Sequence, residues 1–142
     1  MRSLPVVSAA TLLAACAAAS AAPEGAGAPQ GVVDITWEWV STVTPVTRVE
    51  VRDPERYTLF LQSDGPARVR FDCNQGSGTY EMAPGKLAFG PFMSTRMACP
   101  EDSQDAQYAD GLQRVVSFFL RDGDLYLELP MDSGTMRFRR AR

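Results

Sequence analysis

The chain has 142 residues, with 17 acidic and 14 basic side chains, a net charge of −3 and no histidine. The charge balance, and the lack of a basic patch before Arg137, argue against a nucleic-acid partner. Without histidine, Ser-His-Asp and Cys-His catalysis are excluded, as are most zinc and copper sites, so no metal or other cofactor is expected.

In chain order, Met1-Arg2-Ser3 carries one positive charge, and an apolar run follows over residues 4–15. The run is too short to span a bilayer. Basic start, apolar middle and small residues at the end are the layout of a secretory signal. It closes on Leu13-Ala14-Ala15-Cys16, which resembles the bacterial lipobox. The resemblance implies a lipoprotein-type signal peptide over residues 1–15, with Cys16 acylated through its sulfur and forming the mature N-terminus. Each buried methylene of an acyl chain contributes about 0.8 kcal/mol to membrane binding. Ala17, in place of aspartate, favours the outer membrane, with the domain facing the periplasm. The alternative is an ordinary cut around residues 19–22, which would release a secreted protein. Residues 16–31 are rich in Pro, Gly and Ala without apolar periodicity and read as a lipidated cysteine followed by a flexible tether. Residues 32–142 remain as one domain of about 110 residues, enough for a single core and expected to be monomeric.

Within that domain, residues 35–40 alternate and are rich in aromatic and β-branched side chains, so a strand is expected. Pro45 interrupts, and residues 46–52 alternate again. Residues 57–61 and 67–71 form a hairpin around Ser63-Asp64-Gly65-Pro66. Residues 78–82 and 86–89 form another around Ala83-Pro84-Gly85. Tyr108, Ala109, Leu112, Val115 and Val116 recur at helical spacing, which predicts a helix capped by Asp102 or Ser103 and running to about residue 116. Residues 118–120 and 125–129 make a third hairpin, and residues 135–139 close the domain. The expectation is a mostly β (α+β) fold: a curved antiparallel sheet, or a small partly closed β-barrel, with one helix packed on it.

With Cys16 lipidated, Cys73 and Cys99 are an even pair in an oxidising compartment and are expected to bridge. The alternative, a redox-active pair, lacks both Cys-x-x-Cys spacing and a histidine to lower a thiol pKa. Asn74-Gln75-Gly76-Ser77-Gly78 reads as a turn re-entering the sheet, with Asn74, Gln75 and Ser77 as a ligand loop in the alternative reading. Arg96 either pairs with a buried carboxylate or carbonyl and fixes its loop, or presents a cation to a partner. Glu101, Asp102, Asp105 and Asp110 lack calcium-loop spacing and read as a solvated helix face. Trp37 and Trp39 share one side of their strand; core packing is the default and a sugar or peptide platform the alternative. Arg139-Arg140-Ala141-Arg142 reads as a solvated tail, with contact to anionic lipid as the alternative.

Both cysteine segments together resemble the META domain family, the HslJ-like proteins. The residues that carry this are Trp37, Asp64-Gly65, Cys73-Asn74, Gly76-Ser77-Gly78 with Tyr80, Leu87, Thr95-Arg96-Met97 with Cys99-Pro100, Leu112, Leu125 and Leu127. The likeness extends over residues 34–139. Arg70 departs from it, standing where the family often has glycine. The resemblance implies a small envelope or secreted protein linked to stress response, motility or drug tolerance, with a disulfide and no common catalytic set. The expected function is that of a non-enzymatic envelope lipoprotein, held to the membrane through Cys16 and binding an envelope protein or a small ligand. The alternative is an inhibitor of a hydrolase such as lysozyme or a protease, inserting residues 75–79 or 94–98.

Overall fold

The computed structural model describes residues 31–142. The expected signal peptide, the lipidation of Cys16 and nearly all of the tether lie outside the described residues.

The chain runs β1 (Thr36–Val43), β2 (Arg48–Glu50), a 3-10 turn (Pro54–Arg56), β3 (Tyr57–Leu61), β4 (Ala67–Phe71), β5 (Asn74–Gly78), β6 (Tyr80–Ala83), β7 (Lys86–Phe89) and β8 (Met93–Ser94). Helix α1 (Asp105–Gln113) follows, then β9 (Ser117–Arg121), β10 (Asp124–Glu128), a second 3-10 turn (Pro130–Asp132) and β11 (Thr135–Arg140). All strands pair antiparallel, in the order β6-β7-β9-β10-β11-β1-β3-β4-β5-β8, with β2 attached to β1. Only Thr79 separates β5 from β6, so the two ends of this ribbon are joined through the chain itself. The result is a curled sheet forming a partly closed barrel, the fold class expected from the strand pattern.

The strongest alternation gives the cleanest strands. In β3 and β4, Tyr57, Leu59, Leu61, Ala67, Val69 and Phe71 all point inward and are buried. Trp37 and Trp39 on β1 do the same, so both are core residues and not a platform. A register shift between Trp39 and Ser41 bends β1, and Ser41 is buried too. Trp39 stacks on Tyr108 of α1 with ring centres 5.0 Å apart, and Tyr57 meets both rings edge-on at 5.7 and 5.8 Å. The indole nitrogens are satisfied: Trp37 Nε1 donates to Val32 O (2.9 Å), and Trp39 Nε1 to Ser41 O (3.1 Å) and Thr42 Oγ1 (3.0 Å).

Helix α1 stops at Gln113, three residues short of the expected end. Its last turn tightens as Arg114 N–H reaches Gly111 O, and Val116 N–H then pairs with Glu128 O, which carries the chain into the sheet. Val115 stays buried, but Val116 is half exposed. Ser103 Oγ accepts Asp105 N–H at 3.3 Å, whereas Asp102 does not cap the helix and faces Arg56 at 3.7 Å. Gly111 lowers helix propensity, yet a Cβ there would lie 2.7 Å from Met136 Sδ, so its absence lets α1 rest directly on β11.

Of the expected solvated tail, Arg139 and Arg140 belong instead to the last strand, and Ala141 and Arg142 lie beyond it and are exposed. β11 extends through Arg140; Arg139 pairs with Glu38 at 2.9 Å, and Arg140 lies over the Trp37 ring at 5.4 Å.

Tyr108 Oη is fully buried with no hydrogen-bond partner among the described residues. Burial alone pushes its pKa well above the ordinary tyrosine value. An unmatched buried hydroxyl is a cost that phenylalanine would remove, so Tyr108→Phe is expected to stabilise the domain by about 1 kcal/mol. Urea unfolding checks this; a loss of stability would show that the hydroxyl has a partner.

Candidate functional site

The two cysteine segments meet at one corner of the barrel. The sharp turn between β4 and β5 is Asp72-Cys73, with Asp72 in the left-handed region at φ +59°. Residues 74–78 are therefore a strand and not the expected turn, which falls one step earlier. The glycine-rich composition has a packing cause. A Cβ at Gly76 would lie 2.8 Å from Met93 O, and one at Gly78 would lie 2.8 Å from Phe92 Cδ1, because the chain crosses the inner face of β5 there.

Asp72 is buried, and Arg56 grips its carboxylate with Nε at 2.6 Å and Nη2 at 2.5 Å. Hydrogen bonding from Arg56 holds the Asp72 carboxyl below its usual range against the opposing effect of burial. Arg56 also reaches Asp53 (3.1 Å) and Asp102 (3.7 Å), tying the 3-10 turn and the segment before α1 to the β4–β5 turn.

Cys73 and Cys99 are joined, with their Cα atoms 5.5 Å apart. Beside the bridge, the Asn74 side chain is buried and fully used. Its Oδ1 accepts Met97 N–H (2.7 Å) and the Thr95 hydroxyl (2.9 Å), and its Nδ2 donates to Met97 O (3.0 Å). Thr95 in turn accepts Gln75 N–H at 3.1 Å and donates its own N–H to Gln75 O at 3.0 Å. Bridge and amide together clasp residues 95–99 onto β5. The motif Cys-Asn with Thr-x-Met-x-Cys is thus a structural clasp, in which both polar atoms of the Asn74 side chain are engaged.

The clasped segment forms one wall of a cleft of about 660 Å³; α1 forms the other. Phe71, Phe92, Met97 and Ala98 face Ala106 and Ala109, while Arg96, Asp105 and Gln113 also line it. Gln113 Nε2 donates to Gly90 O at 3.1 Å and fixes the far end of the helix against the corner. Arg96 is exposed and has no hydrogen-bond or ion-pair partner among the described residues. The arginine that pins a buried carboxylate is Arg56, a pairing that nothing in the local sequence signals. Gln75 and Ser77, grouped with Asn74 and Arg96 on sequence grounds, point to the opposite face of β5 and line a second trough, which shares Ser94 and Thr95 with the cleft. Residues 75–79 therefore do not form a protruding loop, whereas residues 94–98 are exposed throughout.

Of the four clustered acids, Asp102 pairs with Arg56, Asp105 accepts Ala106 N–H at 2.8 Å in the first turn of α1, Asp110 lies 3.5 Å from Arg114 within α1, and Glu101 precedes the helix and is exposed. Among the described residues, no group of three or more metal-ligating side chains comes together.

Solved structures share this architecture. An NMR structure of a protein from Burkholderia xenovorans superposes with a TM-score of 0.65 at 24% identity, covering 97% of this chain and 99% of its own. A crystal structure of a DUF4847 family protein from Bacteroides vulgatus has a TM-score of 0.57 at 11% identity, covering 76% of this chain and 93% of its own. At these identities the likeness is one of fold. No curated protein matches. The family model described as META domain matches residues 31–142, the whole of the barrel and its helix, and the chain belongs to the META domain family.

Proposed function

We propose that this is a non-enzymatic binding module of the bacterial cell envelope, anchored through an acylated Cys16 and acting in envelope stress. Its ligand seat is the cleft between residues 91–98 and α1. The observation that carries this reading is the cleft itself. Its volume, about 660 Å³, suits a small ligand, and its walls are mostly apolar, with Arg96 available as an unengaged cation. A ligand with an apolar body and an anionic end fits this lining. Of the polar side chains lining the cleft, Asn74 and Thr95 are committed to each other and to backbone, and the sequence has no histidine to serve as a general base. Both features favour binding over turnover.

The exposure of residues 94–98, held at one end by the bridge and at the middle by Asn74, favours a second reading as a hydrolase inhibitor. Inhibition of a lysozyme or protease, lost on Met97→Glu, would select it. For the binding reading, amide chemical-shift mapping with octanoate, decanoate and phenylpropionate is the test. Shifts confined to residues 91–98 and α1 support it. Shifts scattered over the barrel, or none, overturn it.

A further inference from the structure

The outer face of β3, β4 and β5 forms a trough that meets the cleft only along Ser94 and Thr95. Strand register places two rows of side chains there: Thr58–Arg70–Gln75 and Phe60–Arg68–Ser77. They line a trough of about 730 Å³ that contains two arginines and no carboxylate, on a chain whose net charge is −3. Neither arginine forms an ion pair among the described residues, in contrast to Arg48, Arg56, Arg114, Arg137 and Arg139. Each is nevertheless held in place by a neutral acceptor. Arg68 Nε donates to Gln62 Oε1 at 3.1 Å, and Arg70 Nε donates to Asp72 O at 2.9 Å. The η nitrogens of both guanidiniums are left without partners among the described residues. The nearest acid in register, Glu38 opposite Thr58, is neutralised by Arg139 at 2.9 Å.

The two arginines occupy alternate positions of one strand, their Cα atoms about 7 Å apart, and each guanidinium is oriented by its own acceptor. An arginine with a free edge takes carboxylate, sulfate or phosphate in a forked pair of hydrogen bonds. Around them, the Thr58 and Ser77 hydroxyls and the Gln75 amide can both donate and accept, which suits sugar hydroxyls. The half-buried Phe60 ring offers an apolar surface for a sugar face. From this combination we propose that the β3–β4–β5 face binds an anionic oligosaccharide, a short sugar chain carrying carboxylate, sulfate or phosphate groups. Two cations on an acidic chain are too few for nucleic acid, whose affinity comes from many phosphate contacts.

Isothermal titration of the full-length protein at low salt tests this. The probes are hexagalacturonate for carboxylate, a heparin-derived hexasaccharide for sulfate, maltohexaose as neutral chain, and a single-stranded oligonucleotide. At least one charged sugar is expected to bind, and its identity assigns the anion. Maltohexaose should not bind. Arg68→Ala and Arg70→Ala should each weaken binding by about tenfold, and the double variant should abolish it. Arg96→Ala, on the cleft, should leave it unchanged. Binding of neither charged sugar, a double variant that binds as the parent does, or tighter binding of the oligonucleotide would each overturn the proposal. Thermal unfolding of the double variant at the parent temperature shows that any loss is local.

Discussion

Replacing both Cys73 and Cys99 with serine is expected to lower stability by about 3 to 4 kcal/mol. The bridged residues are 26 positions apart, and that is the loop-closure contribution of a cross-link spanning such a stretch in the chain-entropy treatment. The loss should be uneven across the structure. The hydrogen bonds from Asn74 to residues 95–97 and the short pairing of β5 with β8 remain in the variant. The barrel is therefore expected to stay folded while residues 91–99 loosen. Urea unfolding gives the total, and amide hydrogen exchange locates it. A cost under about 1 kcal/mol would show that the bridge adds little to a clasp already closed by Asn74.

Trp39→Ala is expected to cost about 4 kcal/mol, in the range for removing a large buried aromatic. Trp39 is 1% exposed and lies at the contact between sheet and helix, stacked on Tyr108 and met edge-on by Tyr57. Truncation removes the ring that α1 rests against. It also strips Ser41 O and Thr42 Oγ1 of their indole donor. Trp39→Phe keeps an aromatic face toward Tyr108 and is expected to recover more than half of the loss. Denaturant midpoints for both variants check the pair. Equal destabilisation by the two substitutions would mean that the indole hydrogen bonds, and not the stacking, hold the helix.

Elements whose side chains alternate strictly were legible before the structure. β3 and β4 span the expected residues, because a half-buried strand writes its inner face into every second position. β9 and β10 follow from apolar runs on either side of Asp122-Gly123. β5 escaped for the opposite reason. Three of its five residues are glycine or serine, a composition that reads as a turn. Gly76 and Gly78 are small because another stretch of chain lies on them, a tertiary cause invisible in a local window. β8 is two residues long and carries no period at all. The helix end was overestimated because Val115 and Val116 keep the helical spacing while the chain has already turned toward β10. At the site, the pairing of Cys73 with Cys99 followed from counting cysteines. The role of Asn74 depends on Met97, 23 positions away, and that of Arg56 on Asp72, 16 positions away. Arg96 sits inside the motif, but only the structure separates it from the groups that hold the loop.

The most direct test of the clasped cleft as a ligand seat is amide-shift mapping with decanoate, run in parallel on the parent protein and on the Cys73→Ser/Cys99→Ser variant. The expected result is saturable shifts at Phe92, Met97 and Ala109 in the parent, with affinity reduced about tenfold when the bridge is gone and the wall is no longer preorganised. Shifts of equal size and affinity in both proteins, or shifts centred away from residues 91–98 and α1, would contradict it.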